Sequence, residues 1–253
     1  MVFILESYEE LGKLVTSNIS LSEKLKNTTR ILLKPNVAYN LPPPVTTDVA
    51  IVKVLADAIK TFSNAELFLI EGATSKSLEK NLKTNGYYDL EKKGVQILDT
   101  DNLECTCMEI NGMKIKKLFL PKLVLSCDFK ISIPVLKFET RSASASIKNL
   151  IGLLPRSYYR MGKSLTRKKL HIWDINKCIT DLYFHIPFDL AVVDATIALQ
   201  GKLPKRGEKI KFGKVVISDN LFEADKRSLE IAGMDWFSVP YMRYIDDKKK
   251  LAI

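Results

Sequence analysis

Histidine is nearly absent from this 253-residue sequence, which has only His171 and His185; that excludes a histidine-rich metal site. The four cysteines, Cys105, Cys107, Cys127 and Cys178, include no Cys-x-x-Cys pair. A zinc ribbon, a thioredoxin-like redox motif and a ferredoxin-type cluster run are therefore not encoded. No metal site is expected, and the thiols read as reduced. No apolar run approaches the roughly 18 residues needed to cross a bilayer. The opening Met1-Val2-Phe3-Ile4-Leu5-Glu6 is too briefly apolar for a signal peptide and lacks a basic lead. A soluble cytoplasmic protein with no membrane partner is expected. Gly-x-Gly-x-x-Gly and a Walker loop are both missing, which disfavours Rossmann dinucleotide binding and generic NTPase chemistry. Without a nucleophile elbow, a Ser-His-Asp set is a poor fit too. Glutamine is also scarce (Gln96 and Gln200) beside abundant Lys and Glu, a balance that leans towards thermophile composition.

The most telling gap is acidic. Residues 140–173 contain no Asp or Glu, yet hold Arg141, Lys148, Arg156, Arg160, Lys163, Arg167, Lys168 and Lys169. Those eight cations account for most of the formal net charge of +10. A block of like charge attached to packed structure usually faces something negative. The candidates are a phosphorylated or otherwise anionic small molecule, a nucleotide-like cofactor, a nucleic-acid backbone, or an acidic redox partner.

With 46% hydrophobic residues the chain is long enough to bury a substantial core. Short apolar runs alternate with amphipathic segments, the pattern of an α/β fold with a mostly parallel sheet flanked by helices. Strands are expected at Ile31-Leu32-Leu33, Leu67-Phe68-Leu69-Ile70, Val95-Gln96-Ile97-Leu98, Lys130-Ile131-Ser132-Ile133, Leu190-Ala191-Val192-Val193 and Val215-Val216-Ile217-Ser218. Ser7-Tyr8-Glu9-Glu10 reads as a capping box, and Thr46-Thr47-Asp48 caps a helix with Ile51, Val52, Leu55, Ile59 and Phe62 on one face. Asn111-Gly112 marks a β-hairpin insertion near residues 105–118. One helix is expected to carry Leu170, Trp173, Cys178, Ile179 and Leu182, and another to close at Gly233. With no repeat and no linker, residues 1–253 read as one domain.

Each expected strand runs into polar or special residues. In open α/β sheets the ligand crevice lies beyond the carboxyl ends of the strands. If the strands are parallel, Lys34, Asn36, Glu71, Lys137, Asp194 and Asp219 gather on one rim. Solvated strand ends would look the same. Lys34, held before Pro35, suits a phosphate or carboxylate as well as it suits a lysine snorkelling to water. The small-residue run Ser142-Ala143-Ser144-Ala145-Ser146 before Lys148-Asn149 is either a cradle for an anion at a helix start or an ordinary loop. Tyr158-Tyr159 between Arg156 and Arg160 fits base stacking on nucleic acid, and equally a lid with Gly152 and Gly162 as flex points.

The runs Ile31-Leu32-Leu33-Lys34-Pro35-Asn36 and Pro44-Val45-Thr46-Thr47 resemble the opening of the domain of unknown function 362 family. The resemblance continues through Ile133-Pro134-Val135-Leu136-Lys137, Ser146-Ile147-Lys148-Asn149-Leu150-Ile151-Gly152-Leu153-Leu154-Pro155, Val193-Asp194-Ala195 and Ser218-Asp219-Asn220 with Asp225. Members are often joined to ferredoxin-type modules, so the resemblance implies a redox setting; this chain has no such cysteine run. Glu139 stands where the family commonly places a histidine, and Glu71 where an aspartate is usual. A fainter similarity, across residues 131–155, is to the N-terminal domain of the nickel-pincer lactate racemase family. It places Lys148 near that family's cofactor-carrying lysine and Glu139 at a histidine position. What it implies is a crevice for a phosphorylated, nucleotide-like group, while the missing histidine speaks against a nickel pincer.

The leading expectation is an anion-binding α/β protein. Lys34, Asn36, Lys137, Lys148, Asn149, Arg141, Arg156 and Arg160 are the ligand-binding candidates, and Glu71, Glu139, Asp194 and Asp219 form a polar rim. The alternative is a nucleic-acid-binding protein using the basic segment 141–169. The sequence assigns no catalytic residue and no cofactor.

Overall fold

The apolar runs around Ile31, Leu67 and Ile131 become the centre of a single sheet. The computed structural model describes residues 1–74, 77–203 and 205–251; Ser75, at the end of the Glu71-Gly72-Ala73-Thr74 run, lies outside the described residues. In chain order the first elements are β1 (Val2–Leu5), α1 (Tyr8–Ser17), α2 (Ile19–Lys26), β2 (Arg30–Pro35), α3 (Val49–Lys60), β3 (Glu66–Glu71), α4 (Leu78–Thr84) and β4 (Val95–Asp99). Next come β5 (Cys105–Glu109), β6 (Lys117–Pro121), α5 (Lys122–Ser126), β7 (Phe129–Ile133), β8 (Val135–Glu139) and β9 (Ser142–Ser144). A 3₁₀ turn over Lys148–Leu153 leads to α6 (Arg156–Tyr159), α7 (Lys168–Ile172), α8 (Ile175–His185), β10 (Leu190–Gln200), β11 (Glu208–Ser218), α9 (Leu221–Ile231) and α10 (Pro240–Lys250).

The sheet runs β1-β11-β10-β7-β2-β3-β4. From β10 to β4 every pairing is parallel. Parallel strands are covered on both faces, which is why β2, β3 and β7 read as nearly unbroken apolar runs. One face packs Ile31, Leu33, Leu67 and Leu69 against Leu11, Val15, Ile51 and Leu55. The other packs Leu32, Ile70 and Val193 against Cys178, Leu182, Leu221 and Tyr241. Each fully buried Leu or Ile contributes about 1.5–3 kcal/mol, so these two layers dominate the stability. The fold class expected from the alternation of runs is the one observed.

The hairpin insertion is also present, as β5 and β6 paired antiparallel outside the main sheet. Asp181 of α8 clamps its loop by accepting the N–H groups of Met113, Lys114 and Ile115. Three other details differ from expectation. Strand β11 is antiparallel to β10 and β1, so its carboxyl end points away from those of β2, β3 and β7. The helix expected from Leu170 to Leu182 is broken into α7 and α8 by Asp174. Its φ of +80° ends one helix while its carboxylate caps the next through the N–H groups of Asn176 and Lys177. The Ser142–Ser144 run is a short strand paired with β8.

Candidate functional site

Pro134 creates the site. A proline cannot donate to a sheet ladder, and the β2 pairing that holds β7 stops at Pro35 and Ile133. The chain continues as β8 but pairs with β10 and β9 instead. A cavity of about 350 Å³ lies between the residues following β2, namely Asn36, Ala38 and Tyr39, and Lys137 and Glu139 of β8. Its floor is Glu71 and Gly72 at the end of β3, and one wall is Lys148, Asn149, Ile151 and Gly152.

Behind the floor sits a fully buried ion pair. Lys34 Nζ donates to Glu71 Oε2 at 2.9 Å, to the Pro35 carbonyl at 2.7 Å and to Asn149 Oδ1 at 3.2 Å. Glu71 also accepts the Val37 N–H at 2.8 Å and its neighbour Gly72 N–H at 2.7 Å. Burial pulls the Lys34 ammonium below the usual lysine range, and Glu71 opposes that pull. Asn149 completes the lattice by donating to the Lys34 carbonyl at 2.7 Å and to Ser132 Oγ. Gly152 presses directly on the pair: a Cβ there would stand 2.2 Å from Glu71 Oε1 and 2.6 Å from Lys34 Nζ. Lys34 therefore has all three donors occupied and acts as a girder between β2, β3 and the 3₁₀ turn.

Lys137 is as buried as Lys34, at 1% exposure, but its surroundings differ. Its Nζ donates to the Val45 carbonyl, and among the described residues no carboxylate lies within ion-pairing distance of it. Burial, then the Lys148 charge, pushes its pKa down to about 7. Lys148, half-buried on the opposite wall, is likewise lowered by burial, with Glu139 opposing. Asn36 Oδ1 is a buried acceptor on this cavity with no hydrogen-bond partner. Two lysines without ion pairs among the described residues and an open acceptor thus line one space.

The turn carrying Lys148 is fixed from below. Asp225 of α9 accepts the Ser146 N–H at 2.7 Å and the Ile147 N–H at 3.2 Å, and Tyr241 donates to it. Burial raises the Asp225 pKa to about 6.

Of the residues picked from the sequence, Asn36, Glu71, Lys137, Glu139, Lys148 and Asn149 line this cavity, with Lys34 immediately behind it. Arg141 and Arg160 are exposed and outside the lining. Arg156 turns away and pairs with Asp101 through Nε and its backbone N–H. Asp194 points to the α1 face, where it accepts from Tyr8 Oη at 2.7 Å and from Thr196. Asp219 lies at the opposite end of the sheet beside the N-terminal ammonium, because β11 runs antiparallel. The single rim of six strand-end residues is thus reduced to four. Tyr159 is buried and accepts the Phe119 N–H, and Tyr158 stacks on the Phe119 ring at 4.2 Å.

Arg167 is a site residue that the sequence does not single out. It is buried, donates to the Leu154 carbonyl and reaches the Gly72 carbonyl at 3.3 Å, tying the segment after α6 to the cavity floor. Inside an acid-free block nothing distinguishes it from Lys168. His171 also reaches the lining.

Comparison with known proteins now decides the family. The family described as a domain of unknown function (DUF362) matches residues 31–230. The chain belongs to this family. A thylakoid-associated protein of Synechocystis sp. is 25% identical across 94% of this chain and 75% of its own length. Among solved structures, the lactate racemase apoprotein of Thermoanaerobacterium thermosaccharolyticum superposes with a TM-score of 0.56 over 92% of this chain at 12% identity. At that identity the likeness is one of fold, and this chain spans 56% of that structure. The cavity does not fit a nickel pincer. Among the described residues its lining offers one imidazole, His171, and the carboxylates of Glu71 and Glu139 but no thiol, and Glu139 occupies the position that the racemase resemblance gives to histidine.

Proposed function

We propose that this DUF362 domain binds a small anionic ligand, a phosphate monoester or carboxylate, in the cavity between β2 and β8. The observation that carries this reading is the pair Lys137 and Lys148. Both lysines line one cavity, and among the described residues neither has an ion-pair partner. Like charges in a desolvated space repel, so the empty site is electrostatically unfavourable and an anion between them relieves it. Asn36 Oδ1 accepts from a ligand hydroxyl or amide, and Arg167, whose partners among the described residues are backbone carbonyls, adds background positive potential. Lys34 and Glu71 neutralise each other and serve to hold the floor.

The basic segment supports a nucleic-acid surface less well. Tyr158 and Tyr159 are occupied in packing, Arg156 is ion-paired and Arg167 is buried.

Calorimetric titration with glycerol 2-phosphate near pH 6.5 tests the reading. Binding is expected for the wild type, about tenfold or more weaker binding for Lys148→Gln, and no change for Arg141→Ala or Arg160→Ala. Absence of binding by glycerol 2-phosphate and by simple carboxylates, or binding indifferent to Lys148→Gln, overturns it.

A further inference from the structure

We propose that Lys137 is a carbonyl-capturing amine, forming an imine with a small aldehyde or 2-oxo acid whose anionic group is held by Lys148. The proposal rests on the anion-binding reading above and names the class of molecule that the site would act on.

The protein contains its own point of comparison. Lys34 and Lys137 are both fully buried in the same crevice, at 0% and 1% exposure. Lys34 is treated as structural lysines must be: a carboxylate at 2.9 Å and two further acceptors occupy its ammonium. Among the described residues Lys137 has one backbone carbonyl as a partner and no counter-ion, and it lines the cavity where Lys34 does not. A buried lysine left unpaired at a cavity is stable mainly as the neutral amine, the nucleophilic form. Lys148 strengthens that preference by placing a second cation in the same space, an arrangement that activates amines in other proteins. It also offers a charge for the carboxylate or phosphate of the incoming molecule. The cavity's volume of about 350 Å³ falls in the range of small-molecule sites.

The chemistry balances without a further reactant. The Nζ lone pair attacks the carbonyl carbon, a C–N bond forms, and the carbonyl π pair moves to oxygen, which takes a proton. One Nζ hydrogen supplies that proton; the carbinolamine then loses its hydroxyl, which leaves as water with the second Nζ hydrogen, and C=N remains. Amine and carbonyl become imine and water. Glu139 and His171 line the same cavity as proton carriers for the dehydration.

Reductive trapping tests the proposal directly. The intact protein is incubated with glyoxylate and cyanoborohydride at about pH 7.5, digested, and its modified lysines are mapped by mass spectrometry. With its pKa near 7 against an ordinary value near 10.5, Lys137 should react about tenfold or more faster than exposed Lys163, once lower basicity is set against a larger neutral fraction. Glycerol 2-phosphate should protect Lys137 and leave Lys163 unaffected. In Lys137→Arg the adduct should vanish from position 137 without a compensating adduct at Lys148. Modification spread over surface lysines without enrichment at Lys137, or enrichment at Lys148 instead, overturns the proposal. If glycerol 2-phosphate nevertheless binds, the anion site stands and only the imine step fails; if it does not bind, both readings fail. The wild-type map alone decides the imine step, so the result does not depend on a variant folding.

Discussion

Replacing Lys137 with methionine should stabilise the protein, and by more at low pH than at high. Lowering a lysine pKa from 10.5 to about 7 means that keeping it charged in the folded state costs about 5 kcal/mol. Methionine removes that cost and leaves the Val45 carbonyl without its donor, a loss of about 1–3 kcal/mol. The net expectation near pH 6 is a gain of about 2–4 kcal/mol. Between pH 7 and 10.5 the unfolded chain holds a proton at this lysine that the folded chain has released. Stability of the wild type therefore rises with pH through that window, and the cost of Lys137 is complete only below it. By about pH 10 the cost has fallen to about 1 kcal/mol, so the advantage of methionine should shrink by about 4 kcal/mol between pH 6 and pH 10. Urea unfolding of both proteins at the two pH values, with matched m-values, measures the difference. A methionine effect that is equal at the two pH values, or destabilising near pH 6, would refute the claim that Lys137 is a buried cation without a counter-ion.

The other expectations concern the girder and the surface. Glu71→Gln leaves Lys34 buried without its counter-ion and should cost about 3–5 kcal/mol in the same unfolding assay; a loss below about 1 kcal/mol would contradict the structural role. Gly152→Ala places a methyl 2.2 Å from Glu71 Oε1 and should destabilise by about 1–3 kcal/mol or more, with weaker binding of glycerol 2-phosphate. Unchanged stability would mean that the turn does not sit against the pair. RNA and DNA should bind weakly even near 50 mM salt; tight binding with a steep salt dependence would favour the nucleic-acid surface instead.

Much of this was legible in the residues, for identifiable reasons. Continuous apolar runs such as Ile31-Leu32-Leu33 follow from burial on both faces of a parallel sheet, so the fold class could be read directly. Lys34, Asn36, Glu71 and Lys137 converge because β2, β3 and the β7–β8 strand run the same way. Asp219 fell outside because strand direction is not written in a strand's composition. The Gly201 and Gly207 turn region between β10 and β11 was the available hint of an antiparallel ribbon. Asp194 fell outside because a one-residue change of side sends a strand residue to the opposite face. The division of labour between Lys34 and Lys137 is a matter of partners distant in sequence: Glu71 and Asn149 for one, Val45 for the other. The same holds for Arg167, whose acceptors lie at Leu154 and Gly72.

The most direct test of the account is proton uptake on ligand binding. Glycerol 2-phosphate is fully dianionic near pH 8.5, since its second pKa lies near 6. Lys137 is then neutral in the empty site and should become charged beside the bound anion. Calorimetry in two buffers of different ionisation enthalpy should report uptake of about one proton per ligand bound, and Lys137→Met should abolish it. Binding without proton uptake, or no binding at all, would contradict the account.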